Sequence, residues 1–133
     1  PDSAPQSLFE YSVRALAPVK LAYLHLVEGQ TGGARDFAPF DYAALRALFN
    51  GAWMVNNGYT GAMAQAVVAS GAADLVAFGK AFIANPDLGR RLREGAALNV
   101  PDNGTFYGGG AEGYTDYPAL DTTLDTAIDT LPA

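Results

Sequence analysis

The sequence predicts an α/β fold that forms part of a (β/α) barrel, and three observations carry the prediction. Three short runs rich in branched and aromatic residues, 21–27, 52–56 and 75–78, read as buried strands. Helical text separates them at intervals of about 20 to 30 residues, which implies parallel strands joined by right-handed crossovers. Parallel sheets are covered on both faces and keep their edges paired or protected, so three such strands belong to a larger sheet or barrel.

The elements follow in order. Residues Pro5 to Ala17 place Leu8, Phe9, Ser12, Val13 and Leu16 at helical spacing, and Pro18 stops the helix. The first strand, Leu21 to Val27, leads into a Gly-rich loop from Glu28 to Pro39. A short helix from about Asp41 to Phe49 ends at Asn50-Gly51. After the strand Ala52 to Asn56, Thr60 caps a helix with Met63, Ala66 and Val67 on its apolar face, and Gly71 terminates it. The third strand, Leu75 to Phe78, precedes a helix with Asn85 as cap and Pro86 at its first position. Asp87 complements the positive end of that helix, Arg90, Arg91 and Arg93 the negative end, and Gly95 stops it. Residues 1–120 thus form the barrel portion, and 121–133 a separate tail. In the tail Leu120, Leu124, Ile128 and Leu131 share one helical face, while Asp121, Asp125 and Asp129 crowd another.

With 133 residues, 50% of them hydrophobic and 17% charged, the chain can bury a core and is too apolar to be disordered. A net charge of −6 with eight scattered Lys and Arg argues against nucleic acid as a partner. The absence of cysteine removes disulfides and thiolate metal sites. No signal-peptide pattern and no apolar run of membrane-spanning length is present, so the expectation is a soluble, cytoplasmic protein without a membrane partner. Pro1 fits either removal of an initiator methionine or a chain that begins partway through something larger.

Ligands of parallel α/β folds collect at the C-terminal ends of strands, and two strand exits suit an anion. The second strand leaves through Asn56-Asn57-Gly58-Tyr59-Thr60, where asparagine and glycine tolerate left-handed angles and turn successive N–H groups toward a ligand. The third leaves through Gly79-Lys80, combining close backbone approach with a point charge. As a pair they read as a phosphate cradle; singly, each is also ordinary turn punctuation. The stretch 105–118 lacks the Gly-Lys-Ser/Thr ending of a P-loop. It reads as a connector, or, because Phe106, Tyr107, Tyr114 and Tyr117 are costly to leave in water, as a loop folded back on the barrel mouth. His25, the only histidine, reads as a hydrogen-bonded core residue, and no metal site is expected. Glu28 ends the first strand without an evident partner and reads as a solvent-facing carboxylate.

Four ordered motifs carry a resemblance: LAYLHLVEG at 21–29, NNGYT at 56–60, DLVAFGKAFIANPDL at 74–88 and FYGGGAEGYTDYPAL at 106–120. They closely resemble the C-terminal part of the Old Yellow Enzyme family, the flavin-dependent ene-reductases of the N-ethylmaleimide reductase and xenobiotic reductase type. The resemblance implies an eight-stranded (β/α) TIM barrel holding FMN, which NADPH or NADH reduces and which passes hydride to an activated alkene such as an enone or maleimide. It makes the three strands the sixth to eighth of a barrel completed by another polypeptide. It places Asn57, Gly58, Gly79 and Lys80 at the FMN phosphate, Phe106 against the flavin ring system and Tyr107 on the substrate side. Lys80 stands where the family usually has arginine, which loses the bidentate fork and keeps the charge. Asn57 stands where a second glycine is usual, and asparagine is the next best residue for positive φ. The family's substrate-binding histidines, proton-donating tyrosine and flavin-side arginine come from earlier strands, so no catalytic residue is assigned in this chain, and His25 does not match them. A non-catalytic phosphate- or nucleotide-binding module derived from the same barrel is the alternative, and a structural piece without ligand a third reading.

Overall fold

In the computed structural model, residues 3–31, 33–35 and 39–120 are described, so the expected tail helix over 121–133 lies outside them. The chain divides into two units, 1–78 and 79–133.

In the first unit, a proline in the opening turn starts α1, Pro5–Leu16, where a missing N–H costs nothing. Its end tightens into a 3₁₀ turn, Ala17–Val19, and Lys20 adopts φ 57° to redirect the chain. That left-handed residue delays the first strand: β1 runs Tyr23–Val27, not from Leu21. Next come α2, Tyr42–Ala47, and β2, Ala52–Asn56. They are followed by α3, Gly61–Ala69, and β3, Leu75–Val76. Asp41 caps α2 by accepting from the Ala44 N–H at 2.8 Å, and Gln6 reaches across from α1 to accept from the Asp41 N–H at 2.9 Å. Thr60 caps α3 through the Met63 N–H at 3.2 Å, as its position before an apolar face predicts.

The strands form one parallel sheet in the order β1-β2-β3, with Leu24 opposite Trp53, His25 opposite Met54 and Met54 opposite Leu75. Strand periodicity sorts the side chains onto two faces. Leu24, Leu26, Trp53, Val55 and Val76 face the helices and join Val13, Leu45, Phe49 and Ala73 in the core. Tyr23, His25, Val27 and Leu75 lie on the opposite face and are exposed. His25 is therefore not the hydrogen-bonded core residue expected from its apolar neighbours, because Leu24 and Leu26 point the other way. The third strand is shorter than expected. The Ala77 N–H still donates to Val55 O at 2.9 Å, but Ala77 and Phe78 lie beyond the strand and the chain bends at Gly79. Asp74 stitches the entry of β3 to its neighbour, accepting from the Trp53 N–H at 2.7 Å and from Arg46 at 3.0 Å.

The second unit departs from the expected single helix capped by Asn85. It begins with a five-residue helix, α4, Lys80–Ala84, with Gly79 at its N-cap, and continues into α5, Leu88–Glu94. Asn85 is fully buried at the end of α4, where its amide donates to Ala81 O at 2.8 Å and its Oδ1 accepts from the Asn99 N–H at 2.8 Å. A side chain committed to those bonds cannot also cap α5, so Asp87 takes that N-cap and Pro86 precedes it. Arg91, expected to complement the negative helix end, is 5% exposed. It pairs with Asp87 at 2.7 Å and donates to the carbonyls of Ala97 and Pro118. The Arg91 guanidinium, and after it the Leu120 N–H, hold the Asp87 carboxyl below its usual range. Gly95, at φ 65°, stops α5 where the sequence predicts. No helix among the described residues is long and apolar enough to cross a membrane.

Candidate functional site

In the first unit the richest polar cluster forms where β1 and β2 end. The ladder runs one residue past β1, with the Glu28 N–H donating to Asn56 O at 3.2 Å. The Glu28 residue is then buried, 7% exposed, contrary to the solvent-facing reading. Its Oε2 accepts from the Tyr59 hydroxyl at 2.7 Å and lies 3.3 Å from Arg35 Nε. The same guanidinium sits 4.0 Å above the Tyr59 ring. Burial, followed by the bond to Glu28 and its negative charge, pushes the Tyr59 phenol up to about 12, with Arg35 opposing. Sequence reading missed this trio, whose members are far apart along the chain and form no local motif.

The loop leaving β1 is tightly folded. The Gln30 N–H donates to Ala34 O at 2.9 Å and the Gly33 N–H to Gln30 O at 2.8 Å. Gly29, at φ 69°, has no room for a Cβ, which would run into the backbone of Ala34 and Arg35. Across from it Asn57 adopts φ 107° and donates its amide to Glu28 O at 2.6 Å and Gln30 O at 3.1 Å. Asparagine here is thus more than a tolerated stand-in for glycine: its side chain ties the two strand exits together. Gly58 follows at φ 69°, and a Cβ there would meet no heavy atom within 4 Å. Among the described residues, nothing accepts from the N–H of Asn57 or Gly58. Two unclaimed donors beside open space are the chemistry an anionic oxygen requires, so this turn fits a phosphate group.

In the second unit Gly79 and Lys80 open α4, and a Cβ at Gly79 would also meet nothing within 4 Å. Lys80 is exposed, and no carboxylate among the described residues pairs with it. Phe106 and Tyr107 line an open cleft of about 330 Å³ with Thr105, Gly109, Gly110 and Tyr114. The aromatic loop is only partly buried: Phe106 and Tyr117 are half-buried, whereas Tyr107 is 100% exposed and Tyr114 is exposed. The Tyr117 hydroxyl is held by the Asp102 N–H at 2.7 Å, which explains its burial. Among the described residues no group of three or more His, Cys, Asp or Glu is placed to hold a metal ion.

Residues 5–99 match the family described as NADH:flavin oxidoreductase / NADH oxidase. The chain belongs to this family. FMN and NAD(P)H are its cofactors, in agreement with the resemblance read from the four motifs. Among its relatives is a rice (Oryza sativa subsp. japonica) protein, putative 12-oxophytodienoate reductase 12, 40% identical over 96% of this chain and 34% of its own length. Another is 12-oxophytodienoate reductase 2 of Arabidopsis thaliana, 35% identical over 92% of this chain and 33% of its own. Morphinone reductase, solved in complex with tetrahydroNAD, superposes with a TM-score of 0.81 at 44% identity, covering 92% of this chain and 32% of that one. The old yellow enzyme of Trypanosoma cruzi gives a TM-score of 0.83 at 35% identity over 90% of this chain and 31% of that one. The chain spans about a third of the length of the curated relatives it matches. Its parallel strands and helices form a partial α/β portion of the family's TIM barrel.

Proposed function

We propose that this chain supplies the sixth to eighth strands of an FMN-dependent ene-reductase barrel, whose earlier strands come from another polypeptide. The observation that carries the reading is the open sheet face. In a family member with parallel strands, Tyr23, Val27 and Leu75 are exposed on the side a closed barrel fills with side chains. The edges of β1 and β3, unpaired among the described residues, ask for the same closure. FMN, reduced by NADH or NADPH, would supply the hydride delivered to an activated alkene such as an enone or maleimide.

The chain's own residues bind and orient. Asn57 and Gly58 in the first unit offer main-chain donors to the FMN phosphate, and Gly79 and Lys80 in the second offer a donor and a positive charge. Phe106 packs against the flavin ring system, and Tyr107 lines the substrate side. No residue here is assigned to the chemical step. Cytoplasmic residence belongs to the same proposal and is checked by cell fractionation.

The test is NADPH-dependent turnover of cyclohexenone or a maleimide by the chain, alone and with a polypeptide carrying the first five strands. Turnover and flavin retention only in the combined sample are expected. A stable, yellow, monomeric 133-residue protein that turns over alone overturns the partner requirement. A non-catalytic phosphate- or nucleotide-binding module is the second reading, favoured by the unclaimed main-chain donors at Asn57 and Gly58, which suit a phosphate whatever is attached to it. Flavin binding without turnover in the combined sample identifies it.

A further inference from the structure

Gly58 lies between two residues that both hold Glu28. Asn57, on one side, donates its amide to the Glu28 carbonyl at 2.6 Å, and Tyr59, on the other, donates its hydroxyl to the Glu28 carboxylate at 2.7 Å. Asparagine at φ 107° is strained, and such a conformation persists only where its surroundings over-determine it. The two bonds to one buried residue do so, and fix the peptide planes on both sides of Gly58.

Charge is the remaining difficulty, since a buried carboxylate beside the turn repels an anion. Arg35 answers it. Its Nε lies 3.3 Å from Glu28 Oε2 and its guanidinium lies over the Tyr59 ring at 4.0 Å. Arg35 Nε and Nη1 are buried and have no hydrogen-bond partner, so this side chain acts here through charge and stacking.

We propose that Glu28, Arg35 and Tyr59 form a positioning clasp that holds the Asn57–Gly58 turn in donor geometry for a phosphate monoester and cancels the carboxylate's charge beside it. The inference rests on the reading of Asn57 and Gly58 as phosphate donors. None of the three clasp residues touches the phosphate; they act through the turn.

The two functions of the clasp separate by mutation. Tyr59→Phe keeps the ring and its stacking while deleting the hydroxyl that anchors the turn. Glu28→Gln keeps an acceptor for that hydroxyl and leaves the Arg35 charge uncompensated. Two readouts on the chain itself, by amide NMR, apply to each variant: the order parameters of the Asn57 and Gly58 amides, and the shift of the Gly58 amide on titration with inorganic phosphate.

Tyr59→Phe is expected to lower those order parameters and weaken phosphate about fivefold, the loss of one hydrogen bond. Glu28→Gln is expected to strengthen phosphate by about twofold or more through the unmasked cation. A merely structural trio lowers phosphate affinity in both variants, and that result overturns the proposal. Unchanged order parameters in Tyr59→Phe overturn the clasp itself. A wild-type Gly58 amide that ignores phosphate, with order parameters still lowered in Tyr59→Phe, overturns the phosphate-donor reading instead. Trp53 fluorescence, reporting a core side chain, verifies that each variant is folded.

Discussion

Replacing Asn57 separates two contributions that the wild-type residue combines. Its amide makes bonds of 2.6 and 3.1 Å to Glu28 O and Gln30 O, with a longer contact of 3.4 Å to Gly33 O. At about 0.5 to 1.5 kcal/mol for each of the two shorter bonds, their loss costs about 1 to 3 kcal/mol. The backbone at φ 107° adds a second term. Alanine in the left-handed region is penalised by about 1 to 2 kcal/mol, which glycine escapes. Asn57→Gly therefore loses the bonds but relieves the strain, and Asn57→Ala loses the bonds and keeps it. Asn57→Ala is expected to fall about 1 to 3 kcal/mol below wild type, and Asn57→Gly to lie about 1 to 2 kcal/mol above Asn57→Ala. Urea unfolding followed by Trp53 fluorescence measures both, because Trp53 is the only tryptophan and is 2% exposed. Alanine as stable as glycine at this position would refute the left-handed geometry; wild type no more stable than alanine would refute the bonds to the β1 exit loop.

Three further outcomes are expected. Gly29→Ala and Gly58→Ala both place a methyl at positive φ, but only at Gly29 does it strike backbone; Gly29→Ala should cost at least about 2 kcal/mol and Gly58→Ala about 1, by urea midpoints. Tyr59 keeps its proton up to about 12 in the fold against 10.0 for an ordinary tyrosine, so its contribution is complete below 10.0 and is lost as pH rises through about 12. The tyrosinate absorbance of wild type minus Tyr59→Phe should show that late phase, and a difference that titrates near 10.0 contradicts the buried bond to Glu28. Asp87 is shifted downward, so its contribution is present above 3.8 and fades as pH falls below it; Asp87→Asn should lower stability at neutral pH and flatten that acid dependence in urea unfolding.

Local chemistry made much of the fold legible. The alternation of apolar strand runs with capped helices implied parallel pairing, and β1, β2 and β3 pair in that way. Thr60 and Gly95 act at the helix ends where short-range rules place them. These signals span a few residues, so a linear reading captures them. The family too was readable, because four long motifs agree in order, and the family match over residues 5–99, which takes in three of them, bears out the resemblance.

Other residues resisted because their environment is made by distant parts of the chain. Glu28 looked solvated until Tyr59, 31 residues later, and Arg35 closed over it. Asn85 looked like the cap of the last helix until Asn99 claimed its side chain, which leaves Asp87 at the N-cap of α5, and α4 before it was not foreseen. Arg91 looked like a helix-end charge until the carbonyls of Ala97 and Pro118 enclosed it. The sequence by itself determined the three strands, four of the helices and the parallel pairing, since backbone preference and side-chain period act over one or two turns. Only the tertiary structure decided which polar groups are buried and with whom, because burying a charge is tolerable only where packing brings it a partner.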